Sequence, residues 1–249
     1  MVDTTANVDP ASMAMLGFAD FVSETVDFAD SATKGIKLAN KLHNFGRSIG
    51  VNQRAQRHTS DQQHVLHGLL LIATWGAFEA SFDDYCIGVL RADPAVSDAE
   101  SEYARLIRKT RREKAPIKFE KVLRPLQRDG EIPEGLLTAL KSANQTRNIW
   151  AHNRGVADAE FVERASHLGH TVGERVIMDS RLYTRYAFTI GTYAVFLISR
   201  QLQAATGAER ALPTSVMDKN PFRADYISVF GDNPVSSPIS AAMPLRQEN

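Results

Sequence analysis

Apolar residues in this chain recur at steps of three and four, the spacing of one face of an α-helix. Leu16, Phe18, Phe21, Val22, Val26, Ile36, Leu38, Leu42 and Phe45 predict one or two amphipathic helices between Ala11 and Phe45, broken near Gly35. The polar stretch "GRSIGVNQRAQRHTSDQQ" then reads as a linker. A main helical domain should begin near Ser60, with Ser60 or Asp61 as N-cap. Its first helix, "VLHGLLLIATWGAFEASFDDYCIGVL", carries Val65, Leu69, Ile72, Trp75, Phe82, Cys86 and Val89 on one stripe. "DAESEYARLIRKTRREKA" predicts a second helix that closes before Pro116, and "IKFEKVLRPL" a short one ended by Pro125. In "PEGLLTALKSANQTRNIWAHNRG", Pro133 suits the first helical position and Gly155 the left-handed position past the end. Between Asp158 and Ser180, "GHTVGERVIMDS" predicts a turn or small hairpin. "RLYTRYAFTIGTYAVFLISRQLQAA" predicts a last, mostly apolar helix at the centre of the core. From Pro213 onward Pro, Ser, Asn and Asp suggest a loosely wrapped or disordered tail. The pattern predicts an all-α helical bundle, divided into an extension and linker (1–59), a helical domain (60–206) and a tail (207–249).

Composition narrows the class without naming a function. A length of 249 residues with 43% hydrophobic and 23% charged side chains is ordinary for a globular chain that buries a real core. The 29 basic and 29 acidic residues cancel, so net charge does not advertise a nucleic-acid partner, although a local patch could. Cys86 is the single cysteine, which excludes an intramolecular disulfide and a thiolate metal cage; its apolar setting predicts a small buried hydrophobe. The N-terminus lacks a basic segment followed by an apolar one, and the apolar runs are interrupted by charge. A cytoplasmic chain with no membrane partner is expected.

The stretch "NQTRNIWAHNRG" carries the candidate chemistry. Leu136, Leu140, Ala143, Arg147 and Ala151 share one helical stripe, which puts a guanidinium in line with apolar side chains. A buried cation needs a partner. Glu79 lies in the same way on the stripe of Ile72, Trp75, Phe82 and Cys86. The economical expectation is that the two helices pack together with Glu79 close to Arg147; Arg181 or Arg185 are other partners for Glu79. Asn148 and His152 are four apart and share a face, whereas Arg147 and His152 diverge by about 140° on an ideal helix. They converge if the last turn loosens or a partner surface completes the site. A histidine in a last turn also suits the helix dipole and the free carbonyls there. His64 and His67 are three apart, but no carboxylate completes a metal site, so surface or packing roles are expected and no metal or other cofactor is assigned.

"RNIWAHNRG" resembles the motif of the HEPN superfamily of α-helical domains, in which an Arg followed by a polar residue precedes a His by a few positions. Arg147, Asn148 and His152 fit it, the aromatic–Glu helix "WGAFEASFDDY" agrees, and the resemblance covers roughly Ser60 to Ala205. Many members are metal-independent endoribonucleases that face two motifs across a homodimer and act as toxins, in phage defence or in RNA processing. The resemblance therefore implies an RNA substrate, Arg147, Asn148 and His152 as catalytic residues, Glu79 in support, and a neutralising protein partner. One subgroup has a Tyr two residues after the His, modified by a partner nucleotidyltransferase; Arg154 stands there in this chain. Other members have lost catalysis and serve as interaction or dimerisation modules.

The residue types suit the implied reaction. Cleavage by an RNA 2′-hydroxyl needs a proton acceptor, which imidazole supplies near neutral pH. It also needs fixed donors for phosphorane oxygens, which arginine supplies. Arg105, Arg108, Lys109, Arg111, Arg112 and Lys114 concentrate positive charge, and with Arg154 they are candidate RNA contacts. A solvated helix end whose bases complement the dipole would look the same. A non-catalytic module of the same kind remains the alternative, with Arg147 and Glu79 as glue. A DNA-binding regulator using the basic helix is a third reading, without a helix-turn-helix signature.

Overall fold

The computed structural model describes residues 9–48, 59–206 and 220–230 and is all-α. The described residues form eight α-helices: α1 (Pro10–Ser48), α2 (Thr59–Arg91), α3 (Ala99–Lys109), α4 (Ile117–Leu123), α5 (Glu134–Asn153), α6 (Ala159–Arg164), α7 (Ser180–Thr206) and α8 (Arg223–Phe230). Short 3-10 turns follow α4 at Arg124–Leu126 and α6 at Ser166–Leu168. Among the described residues four aspartates open helices by accepting an orphan amide: Asp9 from Ser12 (3.0 Å), Asp98 from Ser101 (3.0 Å), Asp158 from Phe161 (2.8 Å) and Asp179 from Leu182 (2.8 Å).

Several elements depart from the expected pattern. α1 runs through Gly35 without a break. An exposed helical glycine costs only about 1 kcal/mol relative to alanine, too little to end a helix that is favourable on both sides. α2 starts at Thr59, so Ser60 and Asp61 lie inside its first turn. Its buried face is the expected one from Trp75 onward, but Val65 and Leu69 are 41% and 58% exposed while His67 and Gly68 face inward. α3 stops at Lys109, well short of Ala115, because Thr110 saturates the helix end. Its N–H and its Oγ1 both reach the carbonyls of Leu106 and Ile107, each at 3.2 Å. α5 begins one residue after Pro133.

Between Asp158 and Ser180 the chain forms α6 and a 3-10 turn, and "GHTVGERVIMDS" then makes the turn rather than the hairpin, the Glu174 amide donating to the Thr171 carbonyl at 3.1 Å. The extended pairing there is one antiparallel bridge, Val156 with Arg175, flanked by bonds from Ala157 N to Glu174 O and from Val176 N to Gly155 O, both 2.8 Å. Residues 220–230, expected to be loose, form α8 with Phe222 and Tyr226 buried. The rest of the expected tail (207–219 and 231–249) and most of the expected linker (49–58) lie outside the described residues. Contrary to the expectation from its interrupting charges, α2 meets the length and apolarity of a membrane span over residues 62–91. Leu71, Trp75, Phe78, Phe82, Tyr85 and Cys86 of that helix are buried inside the protein.

The chain divides into two compact units, and α1, α2, α5 and α7 each contribute to both. The first comprises, among described residues, 9–19, 79–137, 192–206 and 220–230. Its core is aromatic: Phe82 meets Phe119 at 4.7 Å between centroids, and Phe196 of α7 meets Tyr226 of α8 at 5.8 Å. Gly88 lets α2 approach the backbone of Ala11 closely, since a Cβ there would lie 3.0 Å from the Ala11 nitrogen. Cys86 is a buried core residue, and burial pushes its thiol pKa well up. Among the described residues of this unit, a buried Arg200 pairs with a part-buried Glu120. Glu120 accepts from Arg200 Nη1 (2.8 Å), from the Tyr193 hydroxyl (2.7 Å) and from the Gly130 amide (3.1 Å).

The second unit comprises, among described residues, 20–48, 59–78 and 138–191. α1 is tied to α2 there by His67 Nε2 and Thr33 Oγ1, 3.1 Å apart in the interior. His64 Nδ1 lies 2.9 Å from the Met178 carbonyl, so both histidines serve packing, as expected. Burial holds the pKa of His67 below its ordinary value. Among the described residues its Nδ1 is buried without a hydrogen-bond partner, so charging the ring would strand a second N–H.

Two outcomes follow for stability. Glu120→Ala leaves the guanidinium of Arg200 buried and uncompensated, and should cost about 3–5 kcal/mol in urea denaturation. Glu113→Ala, which breaks a surface pair with Lys121, should cost less than about 1 kcal/mol. For His67 the folded-state pKa is depressed, so its contribution is complete above about pH 6.5, the unfolded value, and is lost as pH falls from there. The urea midpoint should therefore drop between pH 7.5 and 5.5, and His67→Gln should flatten that drop; an equal drop in the variant removes His67 as its source.

Candidate functional site

The candidate site sits on α5 and what packs against it in the second unit. Leu136, Leu140 and Ala143 of the expected stripe are buried, Arg147 is half-buried and Ala151 is exposed. At 100° per residue, the line from Leu136 to Ala151 turns by about 60° away from the core. Ile149 and Trp150 take over the buried face, and Thr146 Oγ1 meets the Tyr186 hydroxyl at 3.2 Å.

Trp150 fixes how α5 ends. Its ring lies where a Cβ on Gly68 of α2 would overlap it, and a Cβ on Gly155 would come within 2.7 Å of it. The guanidinium of Arg175 stands 5.9 Å from the ring centroid. Among the described residues the indole Nε1 has no hydrogen-bond partner, so packing holds the ring in place.

Beyond Asn153 the chain closes on itself. The Gly155 amide bonds to the Ile149 carbonyl at 2.9 Å, six positions back and one residue wider than the 6→1 closure of a Schellman motif. Asn153 Nδ2 donates to the Val156 carbonyl at 2.7 Å, tightening the same turn. Gly155 has positive φ (79°), as expected, but so does Arg154 before it (52°). Arg154 thus takes a left-handed conformation that helix ends ordinarily give to glycine.

Arg147 is met by an aromatic face and an amide. Its guanidinium carbon lies 5.5 Å from the ring centroid of Trp75, and its Nη1 donates to Asn148 Oδ1 at 2.9 Å. These contacts, with Gly68 against Trp150, establish that α2 packs on α5. Glu79 stands one helical turn beyond Trp75 on α2 and is half-buried. A guanidinium stacked on a ring keeps its N–H edge in the guanidinium plane, where oxygen acceptors can reach it.

The expected site residues are therefore only partly gathered. Arg147 and Asn148 are joined directly, whereas His152 and Arg154 are exposed on the last turn and just past it. Arg108, Lys109, Arg111 and Arg112 are exposed and belong to the other compact unit. Among the described residues no three His, Cys, Asp or Glu side chains are grouped to hold a metal ion. Sequence reasoning missed Gly68, Trp75 as the partner of Arg147, Trp150 and Arg175. Gly68 had a signal: a lone glycine inside an apolar helical run usually marks a close packing contact.

Comparison with family models, with curated proteins and with solved structures found no match.

The strained cap yields a paired test. Arg154→Gly relieves a left-handed conformation costing roughly 1 kcal/mol and should raise the melting temperature. Gly155→Ala should lower it by more than that gain, since it adds both a left-handed alanine and a clash with Trp150. A lower melting temperature for Arg154→Gly would show that the arginine side chain itself holds the turn.

Proposed function

We propose that this chain is a metal-independent endoribonuclease of the HEPN type that works as a homodimer. The observation that carries the reading is the arrangement at the end of α5: Arg147 held over Trp75 and bonded to Asn148, one turn before the exposed His152. A positioned guanidinium suits a phosphate, and an accessible imidazole suits proton transfer. In the proposed step His152 takes the proton of an RNA 2′-hydroxyl, the 2′-oxygen attacks the adjacent phosphorus, and Arg147 stabilises the phosphorane oxygens. The bond to the 5′-oxygen breaks, and that oxygen takes a proton from the imidazolium of the second copy, leaving a 2′,3′-cyclic phosphate. Asn148 keeps the guanidinium oriented.

Two copies are proposed because Arg147 is half-buried and His152 exposed, so one chain presents them to different surroundings. The exposed Leu69, next to the glycine that backs Trp150, offers apolar surface for such an interface. The second reading is a non-catalytic interaction module. It is favoured by one fact, that Trp75 and Asn148 already match Arg147 within the chain.

Purified protein incubated with total RNA in EDTA separates the two. Wild type should cut and leave 2′,3′-cyclic ends. His152→Ala and Arg147→Ala should each lose about 10²–10⁴ in rate with melting temperatures that still report a folded chain. The double variant should be little worse than the poorer single one, since both act in one transition state. Cutting that persists in RNA with 2′-deoxy substitution at the cleaved nucleotide defeats the mechanism. A dimer that cuts no RNA gives the interaction module the lead.

A further inference from the structure

The first compact unit carries a charge cluster that the proposed cleavage does not use. Arg108 and Lys109 end α3, and Arg111 and Arg112 follow in the turn; all four side chains are exposed. Cations around them are matched: Arg91 with Glu100, Arg105 with Glu102, and Lys121 with Glu113. The four on the turn make no salt bridge among the described residues. Neutral overall charge makes this local excess more pronounced.

Helix-end chemistry does not account for it. The dipole acts within the last turn, which contains Arg108 and Lys109 but not Arg111 and Arg112. The end carbonyls are already filled, those of Leu106 and Ile107 by Thr110 and that of Arg108 by the Arg111 amide. The turn is also held in place. Leu106, Thr110 and Pro116 are buried, and the Glu113 amide bonds to the Thr110 carbonyl at 2.9 Å. Four like charges within five positions are thus fixed at the surface by a backbone that cannot spread them. Such a patch is relieved by a polyanion.

We propose that the turn 108–112 is a phosphate-backbone anchor for single-stranded RNA, the choice of RNA over other polyanions resting on the cleavage reading above. Three of the four cations are arginines, whose planar forks take two phosphate oxygens at once. The segment "RKTRREKA" holds no aromatic side chain to stack or read a base, so the contact is to the backbone and independent of sequence. A lipid surface fits less well. Membrane-surface helices set large apolar side chains beside their cations; residues 108–115 have none, and Ile117 further on is a single exposed one.

The test uses binding, so that it does not depend on cutting. A fluorescein-labelled single-stranded oligonucleotide with 2′-O-methyl groups, which cannot supply a 2′-hydroxyl nucleophile, is titrated with the full chain over a range of KCl. Each phosphate contact contributes about 0.7 to the slope of log K against log salt for single strands. The combined variant Arg108→Gln, Lys109→Gln, Arg111→Gln, Arg112→Gln should lose about 2–3 of that slope and bind more than about tenfold more weakly at low salt. Arg91→Gln with Lys121→Gln, at cations already paired, should leave the slope unchanged. A slope equal to wild type in the combined variant overturns the anchor, as does binding of phosphatidylserine vesicles without binding of the oligonucleotide. Loss of slope in a protein that cuts no RNA keeps the anchor and removes the nuclease. Cutting of unmodified RNA alongside an unchanged slope does the reverse.

Discussion

Trp150 occupies a slot that only two glycines can form, and the geometry of the second unit depends on that fit. Burying an indole removes roughly 200 Å² from water, worth about 5 kcal/mol by area. That gain is available only if Gly68 faces α5, and facing it that way turns Val65 and Leu69 outward. The same ring fills the space beside Gly155, where the chain bends back through a left-handed pair. The bend delivers Val156 to its bridge with Arg175, and Arg175 lies over the indole. Position, cap and bridge are therefore one packing solution. His152 and Arg154, both exposed, stand on the last turn and the bend that follow from it.

The molecule treats its charges in three ways, and the differences separate structure from candidate function. Glu120 and Arg200 are taken inside and fully satisfied by neighbours, which makes them costly to break and of no use to a ligand. Arg147 is only half taken inside and is met by a π-face and an amide. The cations at 108–112 are left in water with no salt bridge among the described residues. Desolvation orders the three: the more completely a charge is withdrawn from water, the more its surroundings must neutralise it.

Much of the fold was legible because helical periodicity is a local signal. α2, α4, α5 and α7 follow from apolar steps of three and four, bounded by proline, glycine and aspartate. The departures share a cause, tertiary packing overriding local signals. Gly35 does not end α1, and α8 packs Tyr226 against Phe196, a contact no local pattern announces. Thr110 ends α3 early through its own hydroxyl, a weak signal in a segment otherwise rich in helix formers. At the site, the inward tendency of Arg147 could be read from its stripe. Its aromatic partner could not, because ring-over-cation geometry depends on how two helices rotate against each other. Arg154 in a left-handed cap was hidden by the glycine next to it, which already satisfied the rule for a helix end.

The chain has two tryptophans, and both belong to this one locality: Trp75 beneath the Arg147 guanidinium and Trp150 in the glycine slot. Emission excited selectively at the red edge of protein absorbance therefore originates wholly from the α2–α5 contact in the second unit. Each fluorophore has a guanidinium near its ring, Arg147 at 5.5 Å from Trp75 and Arg175 at 5.9 Å from Trp150. An anion that draws the guanidinium away from Trp75 would register as an optical signal without any attached dye. By the same token, the first unit is dark in that window, and its unfolding has to be followed through its tyrosines or through helix content.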